Sequence, residues 1–511
     1  MATKLEQIGG LIAELREDRK ITQGALAKRI GTTQSAIARI ENGEQNLSTE
    51  MLSKISGALN KDIVNLSNRS LNLRIEGGRK LHGAITTKTS KNSAVALLCA
   101  TLLNKNTTIL KNVPRIEEVH RIIETLQSIG VRVVWLGNDL EVRAGKINLA
   151  KMNKDTAMKT RSVIMMIGPL IHRFKKFRIP QPGGCKIGSR TVRPHFFALE
   201  KLGVKIETTA KEYKISSRLN LPLSRGRFNL DKSIVLYESG DTVTENTLMA
   251  AARIPGKTVI RFASANYQVQ DLCFFLESLG IKIEGVGTTT LTIYGKKEID
   301  TPVTYYLSED PIESMFLLAA AIVTKSSIII KRCPIDFLEL ELLKLEKMGF
   351  RYKILPRYKA ENGKTNLVDI KTFPARLKAL PEKIECRPYP GLNIDNLPFF
   401  AVIATQATGE TFIHDWVYEK RAIYYKELDK LGAETILADP HRIYIKGPTT
   451  LKPAEVICPP ALRPAAIILI GMLGARGVSI LRNVYSINRG YEDLAGRLNK
   501  IGAKITILRE F

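Results

Sequence analysis

From Leu71 to the C-terminus, short runs rich in β-branched residues with a period of two alternate with stretches of helical period. One phrase recurs six times where a helix runs into a strand: LQSIGVRV (126–133), LEKLGVKI (199–206), LESLGIKI (276–283), LEKMGFRY (345–352), LDKLGAET (428–435) and LNKIGAKI (498–505). The pattern predicts that Gly130, Gly203, Gly280, Gly349, Gly432 and Gly502 close helices in the left-handed conformation. Upstream of most copies lie an apolar helix and a strand, as at 95–103 then 107–110 and 316–323 then 327–330, so each repeat reads as helix-strand-helix-strand. The helices ENTLMAAARI, MFLLAAAIV and LRPAAIILIGML are apolar nearly all round, which places helices inside and sheets outside. A period of roughly 70 to 80 residues exceeds the usual solenoid unit, so the repeats predict a closed pseudo-symmetric α/β globule.

The first 66 residues have a different texture. Short helices are predicted at 8–19, 23–29, 34–41 and 49–59, with Gly31 and Gly43 as stops, giving a small all-α domain.

With 511 residues, 44% hydrophobic and 25% charged, the chain can bury more than one core, and two or three domains are expected. Lys plus Arg outnumber Asp plus Glu by 77 to 50, for a net charge of +27, which favours anionic partners. The six cysteines (Cys99, Cys185, Cys273, Cys333, Cys386, Cys458) are scattered without a CxxC pair, which favours free thiols in a reducing compartment and suggests no metal site. Residues 1–12 lack signal-peptide character, and the longest apolar run, 465–475, is far shorter than the ~20 residues of a membrane span. A soluble, cytoplasmic protein with no membrane partner is the expectation.

Several segments carry a family resemblance: TKTSKNSA (87–94), PGGCKIGSR (182–190), Thr160-Arg161-Ser162 ahead of Gly168-Pro169-Leu170, and Thr244-Glu245-Asn246. Ile394-Asp395, Tyr418-Glu-Lys-Arg421, Leu462-Arg463 and Ile487-Asn-Arg-Gly-Tyr491 continue it in order. Together with the six units, residues 71–511 resemble the enolpyruvyl transferases, and the cysteine loop resembles the branch acting on UDP-N-acetylglucosamine rather than the shikimate branch. The resemblance implies a two-domain inside-out α/β barrel, with one domain from 71–90 and 309–511 and the other, carrying the Cys185 loop, from 91–308.

It also implies a reaction: the sugar 3'-hydroxyl adds to phosphoenolpyruvate and phosphate is expelled, without metal or organic cofactor. Phosphoenolpyruvate carries a phosphate and a carboxylate, so its pocket needs fixed cations, Arg above all for its planar donor fork. By resemblance Lys91, Asn92, Arg190, Arg463 and Arg489 bind phosphoenolpyruvate, and Arg161, Asp395, Val417 and Arg421 bind the UDP-sugar. Cys185 is implied as proton donor, Asp395 as general base and Lys91 as a third catalytic group. Cys185 follows Pro182-Gly183-Gly184 and has Lys186 and Arg190 nearby, cations that favour a thiolate, whereas delivering a proton requires the thiol.

Four places depart from the family pattern. Arg193, in Thr191-Val-Arg-Pro-His195, replaces an acceptor used for the uracil ring with a donor. Ala461 stands where an Asp precedes Leu-Arg. Gly240-Asp241-Thr242 puts a negative charge where a diphosphate is met, and Asp310-Pro311 replaces an Asp-Arg pair. Two other readings therefore stand beside the first: a regulator whose former enzyme body senses a phosphorylated ligand, and a transferase for another acceptor.

Residues 21–43, ITQGALAKRIGTTQSAIARIENG, resemble the helix-turn-helix of phage repressors and Cro. Leu26, Ile30, Ile37 and Ile40 have the spacing to pack its two helices together. Thr33, Gln34, Ser35 and Arg39 then face the major groove of double-stranded DNA, with Gln23 set to bind a phosphate. Glu41 and Glu44 dilute the local positive charge. Reading a two-part operator requires a homodimer.

Overall fold

The structure, a computed structural model, describes residues 4–19, 21–45, 49–59, 71–181, 191–217 and 231–509. It divides into a small unit, residues 1–72 with 507–511, and a large one, 73–506.

The small unit contains the helices Lys4–Asp18, Gln23–Ile30, Gln34–Glu41 and Thr49–Ala58. Thr22 and Thr33 cap the middle two, each hydroxyl accepting a backbone N–H (from Ala25 and Ala36), and Gly31 turns the chain between them at φ 74°. Leu26, Ile30, Ile37 and Ile40 are buried together with Ile12, Leu15 and Ile55, as their spacing requires. Glu41 is buried inside this unit: Arg16 donates to both its oxygens, Nη2 to Oε2 at 2.8 Å, and Gln23 Nε2 donates to Oε2 at 2.9 Å. Its charge is therefore matched internally, and it does not dilute the outer face.

Among the described residues from Leu71 onward the strands form six sheets. All six repeat glycines have positive φ, between 82° and 99°, as read from the sequence. The apolar helices are enclosed: every residue of Pro311–Val323 and Leu397–Ala404 is buried, as are all from Leu462 to Leu473. Those three pack on one another, and Lys91–Ala100 packs on Tyr267–Ser278, which also meets Asp241–Ala251. The sheets carry polar residues outward, as in Thr290–Gly295, where Leu291 and Ile293 are buried while Thr290, Thr292 and Tyr294 are not.

Two strands are exchanged between repeats, and this positions the site. His82–Thr86 leads into helix Lys91–Ala100 yet pairs in parallel with Ser327–Pro334, and Val303–Tyr306 leads into Pro311–Val323 yet pairs in parallel with Thr108–Lys111. The chain thus crosses twice from one sheet to another. The crossings run side by side, with Ser90 N–H donating to Ser308 O at 2.8 Å and Asp310 N–H to Lys88 O at 2.9 Å. Lys91 follows one crossing and Asp310 ends the other.

Among the described residues no helix is long and apolar enough to cross a membrane. Cys99, Cys273, Cys333, Cys386 and Cys458 are free and buried, and burial pushes the thiols of Cys333, Cys386 and Cys458 up to about 12. They are packed, inert thiols.

Candidate active site

Helix Lys91–Ala100 begins at Ser90, whose hydroxyl accepts from Ser93 N–H at 3.1 Å, so Lys91 and Asn92 occupy its first turn, where the unpaired N–H groups favour an anion. Lys91 Nζ lies 3.5 Å from Glu118 Oε2, and Arg489 Nε lies 3.7 Å from the same oxygen. Ser162 and Thr160 hydroxyls lie 3.3 and 3.4 Å from the other oxygen. Burial works to raise the Glu118 carboxyl, but Lys91 and Arg489 overcome it and hold it below the usual range.

A second cluster forms around Asp395. Arg463 Nη2 is 3.4 Å and Arg421 Nη1 3.6 Å from its two oxygens. Both arginines are buried and held from behind: Arg463 donates to Tyr491 OH at 2.9 Å, and Arg421 donates to both oxygens of Asp415 at 2.6 and 2.9 Å and to Ile394 O at 2.7 Å. Two charge-assisted contacts to Asp415 fix the plane of the Arg421 fork. Asp395 is itself positioned by Asn393, whose side-chain oxygen accepts its N–H at 2.9 Å.

Tyr267 and Asp310 join the clusters. Asn92 Nδ2 donates to the buried Tyr267 OH at 3.1 Å, and burial together with the Asp310 and Asp395 charges drives the Tyr267 phenol well above its ordinary value. Asp310 caps helix Pro311–Val323 by accepting from Ile312 N–H at 2.8 Å. Burial raises its carboxyl to about 6, with Glu313 adding to the shift and Arg463 and Lys91 opposing it. Lys91, Asn92, Arg463, Arg489, Asp395 and Arg421 therefore share one connected region of cations around few carboxylates. Such a field suits a small substrate with several negative charges.

Elsewhere, Arg161 donates to Thr191 O at 3.1 Å, and Val417 is exposed. Cys185, Lys186 and Arg190 lie outside the described residues. Glu118, Tyr267 and Asp310 were not singled out as site residues from sequence: Glu118 is one of two acids in a helical first turn, where a dipole partner is the ordinary reading. At the departures, Arg193 is exposed on the first turn of Arg193–Glu200, and buried Ala461 leaves Leu462–Gly474 without a side-chain cap. Asp241 accepts from Ser264 Oγ at 2.5 Å and Asn266 Nδ2 at 3.0 Å.

A family model described as EPSP synthase (3-phosphoshikimate 1-carboxyvinyltransferase) matches residues 75–498. The chain belongs to the enolpyruvyl transferase family. Within it, the chain is 33% identical over 432 residues to the UDP-N-acetylglucosamine 1-carboxyvinyltransferase of Bradyrhizobium diazoefficiens, a match covering 84% of this chain and 96% of that one. The enzyme of the same name from Treponema denticola is 34% identical over 438 residues, covering 85% and 98%. Among solved structures, the enolpyruvyl transferase NikO from Streptomyces tendae superposes with a TM-score of 0.73 at 23% identity, covering 86% of this chain and 99% of that one. EPSP synthase from Acinetobacter baumannii gives 0.67 at 16%, covering 86% and 100%. These two establish the fold, in agreement with the α/β repeat read from sequence.

A helix-turn-helix family model matches residues 12–66. In the small unit, Thr33, Gln34, Ser35 and Arg39 are exposed, and Thr33 Oγ1 and Ser35 Oγ lie 3.1 Å apart. Gln23 is half-buried, with its amide engaged by Glu41.

Proposed function

We propose that the protein transfers the enolpyruvyl group of phosphoenolpyruvate to the 3'-hydroxyl of UDP-N-acetylglucosamine and releases phosphate, the first committed step of peptidoglycan synthesis, in the cytoplasm. The observation that carries this is the convergence of Lys91 and Arg489 beside Glu118 with Arg421 and Arg463 beside Asp395. In this reading Lys91, Asn92, Arg190, Arg463 and Arg489 hold phosphoenolpyruvate, and Arg161, Asp395, Val417 and Arg421 hold the sugar nucleotide. Asp395 takes the hydroxyl proton and Cys185 delivers one to the methylene carbon, balancing the addition. In this reading residues 71–511 form two domains, 71–90 with 309–511 and 91–308. The names of the relatives support the substrates.

The test is phosphate release from purified protein supplied with both substrates. Turnover by the wild type and none by Cys185→Ala is the expected pair of results; a wild type that releases no phosphate overturns the proposal.

A second activity is favoured by the exposed face of Gln34–Glu41: the helical unit reads double-stranded DNA, with Thr33, Gln34, Ser35 and Arg39 at base edges, Gln23 at the backbone, and dimerisation supplying the second half-site. Selection of a bound duplex from a random-sequence library tests it. Recovery of no enriched sequence would sink this reading.

A further inference from the structure

The positive charge of this chain is not where the helix-turn-helix lies. Residues 1–70 hold 10 Lys or Arg against 8 Asp or Glu, whereas residues 146–214 alone hold 16 against 4. Four of those 16 cations, with two of the four acids, lie on the sheet Lys176–Pro180, Glu212–Ser217, Val204–Thr208, in that order. Phe177, Ile179, Val204, Tyr213 and Ile215 alternate into the core, so the intervening residues share the opposite face. The register aligns them in rows: Lys176 beside Ser216 beside Lys205, then Arg178 beside Lys214 beside Glu207.

Lys176, Arg178, Lys205 and Lys214 are all exposed, and Lys175, Lys201 and Lys211 are exposed close by in sequence. Only part of this charge is matched locally, Arg178 by Glu212 at 2.9 Å and Lys205 by Glu207 at 2.8 Å. Neighbours in a row stand about 5 Å apart, and residues two apart on a strand about 6.7 Å. The result is a flat lattice of cations on long, flexible stems.

We propose that this outward sheet face binds the phosphate backbone of duplex DNA, independently of sequence. A small anionic substrate needs convergent donors in a recess, whereas a flat lattice suits a polyanion that presents about one charge per 1.7 Å of its axis. A membrane-docking face would add exposed apolar side chains to insert among the lipids, and the described residues of these three strands expose no large apolar side chain. A helix-turn-helix unit with so little net charge draws little affinity from long-range attraction, so the sequence-independent binding is assigned to the sheet face by itself.

The experiment measures binding of the full-length protein to a random-sequence 30-base-pair duplex by fluorescence anisotropy over a range of KCl concentrations. The comparison is with a variant carrying Lys176→Gln, Arg178→Gln, Lys205→Gln and Lys214→Gln. The variant is expected to lose at least tenfold in affinity near 0.1 M salt, and its slope of log affinity against log salt to shrink by about 3 to 4, since each neutralised phosphate contributes about 0.9. Unchanged phosphate release serves as the check on its fold. A second variant, Gln34→Ala with Arg39→Ala, is expected to keep the wild-type slope on this duplex, which separates the sheet face from the helical unit. Equal affinity and slope in wild type and sheet variant overturn the proposal. So does a loss confined to vesicles containing 30% phosphatidylserine, which makes the partner a lipid surface, or one confined to the salt dependence of kcat/KM for phosphoenolpyruvate, which makes the face a steering field.

Discussion

Arg463 and Asp395, 68 residues apart in the chain, meet with Nη2 and Oδ2 3.4 Å apart, while the other end of the Arg463 fork donates to Tyr491 OH. Arg463 is thus fixed before substrate arrives, and Asp395 lies beside two guanidinium groups. Asp395→Asn keeps the shape and removes the acceptor of the hydroxyl proton. We expect kcat for phosphate release to fall by about 10² to 10⁴ with a smaller change in the KM for phosphoenolpyruvate, as steady-state kinetics will show.

Glu118 shares one oxygen between Lys91 and Arg489. A phosphate binding there has to compete with that carboxylate for the same cations. Removing one charge at this range changes the interaction by about 1 to 4 kcal/mol at effective dielectric constants of 80 to 20. Glu118→Gln is therefore expected to tighten inhibition by inorganic phosphate about tenfold; weaker inhibition in the variant would contradict the competition.

Asp310 has its carboxyl raised to about 6, chiefly by burial, and it faces Arg463 and Lys91. Because the folded-state value is the higher one, the folded protein takes up a proton as pH falls through about 6, and the charged carboxylate costs stability above that point. Protonation removes a negative charge from the cationic region. Affinity for phosphoenolpyruvate is expected to rise between pH 7.5 and 5.5 more in the wild type than in Asp310→Asn, which keeps a capping oxygen but cannot titrate. Parallel pH profiles by isothermal titration would exclude the effect.

Arg16 and Glu41 form a buried pair inside the small unit. Glu41→Leu leaves the guanidinium there without its carboxylate, which costs about 3 to 5 kcal/mol. Calorimetry of the full-length variant should show the small unit's transition lost or shifted down, with phosphate release retained; an unchanged transition would mean that Arg16 finds another partner.

Much of the architecture was legible in the sequence because it is local. A glycine at the end of each helix, a wholly apolar helix ahead of it and β-branched strands on either side fix the repeat six times over, and all six glycines adopt the left-handed conformation. Thr22, Thr33 and Gly31 likewise bound the helix-turn-helix through backbone contacts a few residues long. The exchange of His82–Thr86 and Val303–Tyr306 between repeats was not legible, since parallel pairing is chosen by distant partners and leaves no mark on either strand.

The sequence by itself determined the repeat, the apolar helices, the family motifs and the net charge, because each depends on residue type and short spacing. Only the tertiary structure decided which charges meet. Glu118 was one acid among 50 until the fold set it against Lys91 and Arg489, and Asp310 stood out only as half of a departing Asp-Pro pair until burial near Arg463 raised its carboxyl. Electrostatic interaction depends on distance and on the exclusion of water, and neither is written in the order of the residues.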